Sequence, residues 1–306
     1  MSSVFLKNNT WAAEIHPCIG ANCIALKHLH TGAEILRSTD EETHRKNPNV
    51  YGMPFLFPPN RIKNGTYTFD GCTYTLPINE GGSNNHIHGF LSSAAFSVEA
   101  QSETEVTMLY RATKENPYLQ FPHYFHVRIR YEVREDGLHQ TLTVGNDGET
   151  NMPLGVGFHT AFQIPFLPES NPENCVVRLS CERLWKYDNC CIPTGETGSS
   201  EAYVKGIAAA GSPVSAHLDM GTDGATAVVT DTEKDMSVVY RVDAPYRFWM
   251  LWNGDGKSNF FCAEPQSWMI DAPNRPLPAE VTGFLYLKPG EEKSFHSHIT
   301  LVNGKA

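Results

Sequence analysis

Alternation of apolar and polar side chains runs through much of the chain and predicts β-strands. In "HYFHVRIRYEV", apolar residues from Phe125 to Val133 occupy every second position, with His126, Arg128 and Glu132 between them. Successive side chains of a strand point to opposite faces, so this segment predicts a strand with one buried and one wet face. The following "REDG" predicts a turn into a second strand, "LHQTLTV".

Two other segments predict hairpins. "TYTFDGCTYTL" alternates on both sides of Asp70 and Gly71, and an Asp-Gly pair between alternating runs indicates a two-residue primed turn. Near the carboxyl end, "GFLYLKPGEEKSFHSHITLV" predicts strand, Pro-Gly turn and strand, with Phe295, Ile299 and Leu301 on one face. We therefore expect a closing hairpin at this end.

Helical periodicity is scarce. "EAYVKGIAAAG" is the best candidate, and its glycines and short length limit it to a brief helix. No repeat of fixed period and no long Ser, Gly or Pro tract divides the chain. We expect an all-β fold with few short helices, in which residues 1–306 form a single large antiparallel sandwich whose concave face can hold a ligand.

Composition and charge narrow the functional classes. The chain is 41% hydrophobic and 19% charged, as in ordinary globular proteins, and its formal net charge of −10 without a Lys/Arg cluster opposes nucleic-acid binding. The first residues lack a basic region followed by a long apolar stretch, and no apolar run of about 18 residues occurs, so we expect a cytoplasmic protein with no membrane partner. Eight scattered cysteines without CxxC spacing favour reduced thiols over disulfides or structural zinc.

Four stretches concentrate side chains that could carry chemistry: "PPNRIKNG" with Arg61, "NNHIHGF" with His86 and His88, "PLGVGFHTAF" with His159, and "FFCAEPQSWMIDAPN" with Glu264. Each has a structural alternative. Arg61 could form an ion pair, His159 could be a hydrogen-bonded core histidine, and Glu264 could belong to a buried ion pair. Burial after the apolar run "FFCA" would raise the pKa of Glu264 and make it a base near neutral pH.

His86 and His88 would share one face of a strand and could together hold a metal ion. No glutamate follows them before Glu99, and similar pairs, "HLH" at 28–30 and "HSH" at 296–298, recur without an evident partner. We therefore expect no metal. A histidine that donates a proton, a carboxylate that accepts one and further polar groups are suited to acid and base chemistry on a neutral polyhydroxylated ligand.

In this order and separation, the four stretches resemble the aldose 1-epimerase (galactose mutarotase) family. The matching segments are "PNRI", "NHIHG", "MPLGVGFHTAF" and "EPQSWMIDAPN", and the resemblance extends from near residue 10 to the carboxyl end. It implies a β-supersandwich that binds a sugar at its open face and interconverts the α and β anomers. It also implies an isomerase that requires neither cofactor nor metal.

The resemblance also implies roles for individual residues. Glu264 matches the general base that takes the proton from the anomeric hydroxyl, and His159 matches the general acid that protonates the ring oxygen. His88 and Arg61 match substrate-binding residues. Asp219 of "HLDMG" is the best counterpart of an aspartate that contacts sugar hydroxyls in the family.

Two positions depart from the family pattern. Phe90 stands where the family has a second glycine, and Ala161 stands where it has an aromatic residue, so we expect a pocket unlike that of the best-known galactose enzymes. Three tryptophans, Trp249, Trp252 and Trp268, lie near Glu264 in the sequence. They are candidates either for stacking on a pyranose or for the core.

The leading interpretation is a hexose mutarotase that acts on a small-molecule sugar as a monomer or weak homodimer. One alternative is a sugar-phosphate 1-epimerase, which would need a cationic clamp such as Arg247, Lys257 or Arg275. The other is a non-catalytic sugar-binding or sensing protein, which could lose the acid and base pair. The presence of both Glu264 and His159 argues against that loss.

Overall fold

The computed structural model describes residues 3–118, 121–221 and 224–304. Within these ranges it has twenty-six strands and three α-helices of four to six residues, so the predicted all-β class with few short helices is confirmed. Both ends of the 1–306 range predicted as one domain lie outside the described residues. No helix in the described ranges is long and apolar enough to cross a membrane.

The strands are numbered in chain order. The first thirteen are β1 Val4–Lys7, β2 Trp11–His16, β3 Asn22–His28, β4 Phe55–Leu56, β5 Arg61–Lys63, β6 Thr66–Phe69, β7 Cys72–Thr75, β8 Asn85–Ile87, β9 Ser97–Gln101, β10 Glu105–Ala112, β11 Phe125–Arg134, β12 Gly137–Asn146 and β13 Met152–Leu154. The remainder are β14 Gly157–Phe158, β15 Ala161–Gln163, β16 Cys175–Leu179, β17 Arg183–Tyr187, β18 Pro193–Ser199, β19 Ile207–Ala208, β20 Ser215–Asp219, β21 Ala225–Asp231, β22 Met236–Val242, β23 Phe248–Trp252, β24 Phe260–Gln266, β25 Leu285–Leu287 and β26 Glu292–Asn303. The helices are α1 Glu41–Lys46, α2 Glu201–Lys205 and α3 Ala279–Thr282.

Two large sheets form the body of the molecule. One has nine strands in the order β19-β16-β21-β22-β26-β12-β11-β10-β9. The other has eight: seven follow the order β18-β17-β20-β23-β24-β14-β4, and the eighth, β15, pairs with β24 off this path. The smaller sheets are β1-β2-β3, β13-β25, β5-β8 and β6-β7. The strand pairs of both large sheets are antiparallel, as the alternating sequence pattern predicts.

The core lies where apolar side chains from the two large sheets meet. The ring centroid of Trp249 on β23 lies 5.9 Å from that of Tyr240 on β22, and Phe162 on β15 lies 5.7 Å from Tyr240. A continuous cluster of buried apolar residues extends along the chain from Val4 to Ile299. Full burial of each large apolar side chain contributes about 1.5–3 kcal/mol to the free energy of unfolding.

The Asp-Gly hairpin is confirmed. β6 and β7 pair in antiparallel register, and Asp70 and Gly71 have φ angles of 49° and 74°, the left-handed pair that a type I′ turn requires. The predicted β11 and β12 hairpin is also present, with Arg134 opposite Gly137 at its closed end. The brief helix predicted in "EAYVKGIAAAG" is α2. It ends before Gly206, whose φ is 118°.

The predicted closing hairpin is wrong in its pairing. β25 and β26 are strands, and the face containing Phe295 and Ile299 is buried, but β25 pairs with β13 while β26 lies between β12 and β22. Alternation and a Pro-Gly turn indicate strands and a reversal of the chain. They do not specify which edge each strand joins, because that depends on long-range packing.

Alternation in the central strands of the eight-stranded sheet separates the core from a cavity. On β23, Trp249 is buried in the core cluster, whereas Met250 and Trp252 line a cavity on the opposite face. On β24, Ala263 belongs to the core and Glu264 lines the cavity. The period-two geometry of a strand therefore places the carboxylate at the cavity wall.

Candidate active site

The cavity has a volume of about 530 Å³, within the range of small-molecule sites. Arg61, His88, His159 and Glu264 all line it, although they come from four separate segments of the chain. The fold thus brings together four of the five residues singled out in the sequence.

His159 and Glu264 are in direct contact. His159 follows β14, and its backbone N–H donates to the carbonyl of Pro54 at 2.9 Å, which holds the residue at the cavity wall. Its Nε2 lies 3.2 Å from Oε1 of Glu264, and the two side chains are only 7% and 2% exposed. The amide of Gln266 donates to the other carboxylate oxygen of Glu264 at 3.2 Å. The contact is therefore a nearly dry acid and base pair.

Burial shifts the pKa values of this pair in opposite directions. It raises the pKa of Glu264 to about 8, against smaller opposing effects of the Arg61 charge and the Gln266 amide. It lowers the pKa of His159 to about 4. The two groups are in contact, so they take up and lose protons as a pair. Between about pH 4 and pH 8 the pair holds a single proton.

The two histidines of "NNHIHGF" do not act as a strand pair. β8 ends at Ile87, and His88 has a φ of 65°, so the chain turns and its side chain lines the cavity. The His88 ring lies edge-on to that of His159, with centroids 5.3 Å apart. His86 is fully buried, and its Nδ1 donates to the carbonyl of Pro77 at 2.8 Å. His86 therefore has a structural role, since its hydrogen bond to Pro77 holds the segment before β8.

Gly89 allows the turn that presents His88. Its φ is 64°, and a Cβ atom built there would lie 1.9 Å from the carbonyl oxygen of Phe57, which no side chain could tolerate. The backbone N–H of His88 also donates to the carbonyl of Asn60 at 3.0 Å. His88 is therefore fixed next to the segment that carries Arg61.

Arg61 is held by a carboxylate that the sequence analysis did not identify. Its Nε lies 2.9 Å from Oε2 of Glu80, and its Nη2 lies 2.7 Å from Oε1, which is a bidentate pair. Asn85 donates to Glu80 at 3.0 Å, and Arg61 Nη1 donates to Oδ1 of Asn60 at 3.2 Å. Glu80 thus orients Arg61 and balances its charge at the cavity.

Asp219, the predicted sugar contact, does not line the cavity. Its carboxylate accepts hydrogen bonds from Arg183 and from the indole N–H of Trp185 on the neighbouring strand β17. Asp219 lies opposite Phe248, while Met250, two residues further along β23, lies opposite Glu264. The aspartate is therefore displaced along the sheet from the acid and base pair.

The three tryptophans divide between core and cavity. Trp249 and Trp268 are buried in the core, whereas Trp252 is half-buried and lines the cavity with its ring 5.7 Å from that of His159. Ala161 belongs to the small cluster that packs against Trp252. Trp252 is thus the tryptophan of the three that a ligand can reach.

Sequence reasoning missed several residues at the site. Met250 and Gln266 could have been found from alternation, since each lies two residues from a candidate on its strand. Glu80 and Cys191 carry no such signal, because the loops that bring them near Arg61 are set by tertiary packing.

His159, Cys262 and Glu264 also offer ligand atoms that all lie within 4.8 Å of one another, close enough for a shared metal ion. Metals bind the thiolate form of cysteine. Burial and the nearby Glu264 carboxylate raise the pKa of Cys262 well above its usual range, which disfavours that form. The set is better suited to proton transfer between His159 and Glu264.

Comparison with known proteins gives a consistent result. A family model described as aldose 1-epimerase matches residues 3–300. A galactose mutarotase-like protein from Clostridium acetobutylicum has 34% sequence identity and a TM-score of 0.94, with 98% of this chain and 95% of that chain covered. The galactose 1-epimerase of Lactobacillus acidophilus NCFM has a TM-score of 0.77 at 15% identity, covering 99% of this chain and 95% of that one, which supports the fold alone.

Among curated proteins, YihR of Escherichia coli K12, which is described as uncharacterized, is 33% identical over 102 residues. The matched part covers 33% of this chain and 32% of the length of YihR.

Proposed function

The chain belongs to the aldose 1-epimerase family, and we propose that it is a mutarotase that interconverts the α and β anomers of a hexose. The observation that carries the proposal is the 3.2 Å contact between Nε2 of His159 and Oε1 of Glu264 at the wall of a sugar-sized cavity. General acid and base catalysis requires two such groups within reach of one substrate.

In the proposed mechanism, Glu264 takes the proton from the anomeric hydroxyl as His159 gives a proton to the ring oxygen. The bond between C1 and the ring oxygen breaks, and an open-chain aldehyde forms. Rotation about the C1–C2 bond exposes the other face of the carbonyl, and ring closure then returns both protons with the roles reversed. Every bond that breaks is remade, so the reaction consumes no cofactor.

The proton content of the pair supports this mechanism. The pair can hold its one proton in two ways. In the first form Glu264 is protonated and His159 is neutral; in the second Glu264 is a carboxylate and His159 is an imidazolium. Moving one proton across their contact converts the first form to the second, which is the form ready to accept from the anomeric hydroxyl and donate to the ring oxygen. The pKa values of about 8 for Glu264 and about 4 for His159 favour the one-proton state at neutral pH.

We assign sugar binding to His88, Arg61 and Trp252. His88 lies next to His159 and can hydrogen-bond to a sugar oxygen, and Arg61 offers the N–H groups that Glu80 leaves available. The half-buried Trp252 can pack its ring against the apolar face of a pyranose. These contacts suit the hydroxyl groups and the apolar face of a sugar ring.

Charge at the cavity favours a neutral sugar over a sugar phosphate. Arg61 is the single Lys or Arg among the described residues that line the cavity, and Glu80 neutralises it. Arg247 donates to the carbonyl of Glu280, and Arg275 is paired with Asp271. Neither these residues nor Lys257 line the cavity, so the phosphate clamp of the alternative epimerase lacks support.

Polarimetry or NMR on freshly dissolved α-glucose, α-galactose and glucose 6-phosphate tests the proposal. We expect the protein to accelerate relaxation of a neutral hexose and to have a lower kcat/KM for the phosphate ester. A much higher kcat/KM for glucose 6-phosphate would favour the sugar-phosphate epimerase. Equal relaxation with and without protein for every sugar would favour a binding protein.

A further inference from the structure

Two histidines and an aspartate form a second polar cluster, far from the cavity in the fold. His139 on β12 faces His298 on β26 directly across the antiparallel pair, and their rings stack with centroids 4.2 Å apart. Asp136 lies in the two-residue turn before β12. The "HSH" motif at 296–298, which has no evident partner in the sequence, thus acquires two partners in the fold.

Distances in this cluster match those between the ligands of one metal ion. His139 Nε2 lies 2.9 Å from Oδ1 of Asp136, and His298 Nε2 lies 3.8 Å from Oδ2. Bonds of about 2.0–2.1 Å in a tetrahedral site separate neighbouring ligand atoms by about 3.3 Å. The two separations lie on either side of that value. A bound ion would replace the hydrogen bond that His298 Nε2 now makes to the backbone carbonyl of Asp136 at 3.1 Å.

The turn that carries Asp136 is held in place. Thr10 donates its hydroxyl to the carboxylate of Glu135 at 2.6 Å, and the indole N–H of Trp11 donates to the Glu135 carbonyl at 3.3 Å. His139 and His298 are fixed by the central strands of the nine-stranded sheet. A site on rigid elements loses little conformational entropy when an ion binds.

Neighbouring charges are close to balanced. Glu132 lies opposite His139 on β11, and Arg241 lies opposite His298 on β22. Glu132 is paired with Arg130 and Arg134, and Arg130 is also paired with Glu105, so the three arginines face two glutamates and Asp136. The Asp136 carboxylate, which bonds to no arginine in the described ranges, is then the charge that favours a bound cation.

We propose that Asp136, His139 and His298 bind a divalent transition-metal ion of the zinc and nickel class. Imidazole nitrogens with one carboxylate oxygen are a ligand set that these ions accept. The ion would link the turn between β11 and β12 to β26. Because it would bind the folded state, it would raise the melting temperature by mass action. The proposal does not depend on the sugar reaction.

Isothermal titration of the metal-stripped protein, prepared without a polyhistidine tag, with zinc chloride tests this site. We expect about one equivalent of zinc to bind to the wild type, and His298→Ala and Asp136→Asn each to weaken binding at least tenfold. His30→Ala is the matched control, because neither histidine of the "HLH" pair belongs to a group that could hold a metal within the part of the chain that the structure describes. It should bind zinc as the wild type does, and zinc should raise Tm in the wild type and in this control.

Two outcomes would overturn the proposal. One is a wild-type protein that neither binds zinc nor shifts in Tm. The other is binding that persists in His298→Ala and Asp136→Asn but is lost in Cys262→Ser, which would place the ion in the cavity beside His159 and Glu264. Melting curves in EDTA establish that each variant is folded before titration.

Discussion

The cavity and the surface cluster of this protein each bring histidine and carboxylate side chains together, in very different surroundings. In the cavity, His159 and Glu264 are 7% and 2% exposed, whereas in the surface cluster His139 and Asp136 are 27% and 62% exposed. Their contacts are similar in length, 3.2 Å and 2.9 Å. The contact alone therefore does not determine the chemistry.

Burial accounts for the difference. Removing a carboxylate and an imidazole from water penalises both charged forms, so the cavity pair holds a proton that it can exchange with a bound sugar. The Asp136 carboxylate remains solvated and negative near pH 7, which suits a cation more than proton transfer.

Glu264→Gln and His159→Asn should each lower kcat for mutarotation by at least ~100-fold, since general acid or base catalysis contributes about 10²–10⁴. Both replacements are polar and no larger than the side chains they replace, so melting temperature and circular dichroism should stay near those of the wild type. His139→Asn in the surface cluster is the matched control and should keep its activity. Near-wild-type turnover in a folded Glu264 or His159 variant would remove that residue from the mechanism.

His88→Ala should lower kcat/KM. The expected loss of transition-state stabilisation is about 2–4 kcal/mol, the scale of losing one preorganised polar contact to the transition state. His86→Ala should have a much smaller effect on kcat/KM, because its ring is fully buried and bonds to Pro77. It should instead lower Tm. Equal losses of activity in the two variants would show that the pair acts as a unit.

Glu80→Gln should lower kcat/KM for a neutral hexose by ~10-fold, about 1.4 kcal/mol, because Arg61 loses its bidentate partner. The uncompensated charge of Arg61 should also raise the ratio of kcat/KM for glucose 6-phosphate to that for glucose. Glu99→Gln, which removes the partner of Arg128 on the outer face, is the control and should change neither quantity. An unchanged ratio in Glu80→Gln would mean that Glu80 does not set the charge of the cavity.

EDTA should leave the mutarotation rate unchanged, because the proposed proton transfer uses side chains alone. The same treatment should lower Tm if zinc occupies the surface cluster, so one reagent distinguishes the two regions. Loss of activity in EDTA that zinc restores would contradict the assignment of proton chemistry to His159 and Glu264.

The sequence predicted some parts of this account better than others, for physical reasons. Local chemistry specifies the turn at Asp70 and Gly71, and alternation specifies β11 and β12. The pairing of β25 with β13 and the capture of Arg61 by Glu80 depend on contacts between distant segments, which no local pattern records. The bonds of Asp219 to Arg183 and Trp185 depend on the same kind of contact, because β17 and β20 become neighbours only in the fold.

The central claim, that His159 and Glu264 work as a pair with one shared proton, is tested most directly by the pH dependence of kcat/KM. After subtraction of spontaneous mutarotation, we predict a bell-shaped profile. Activity should fall below about pH 4, where a second proton blocks Glu264 as the base, and above about pH 8, where the pair loses the proton that His159 must donate. A rate that rises with pH and then stays constant on the alkaline side would contradict the claim, because a lone deprotonated base would then suffice.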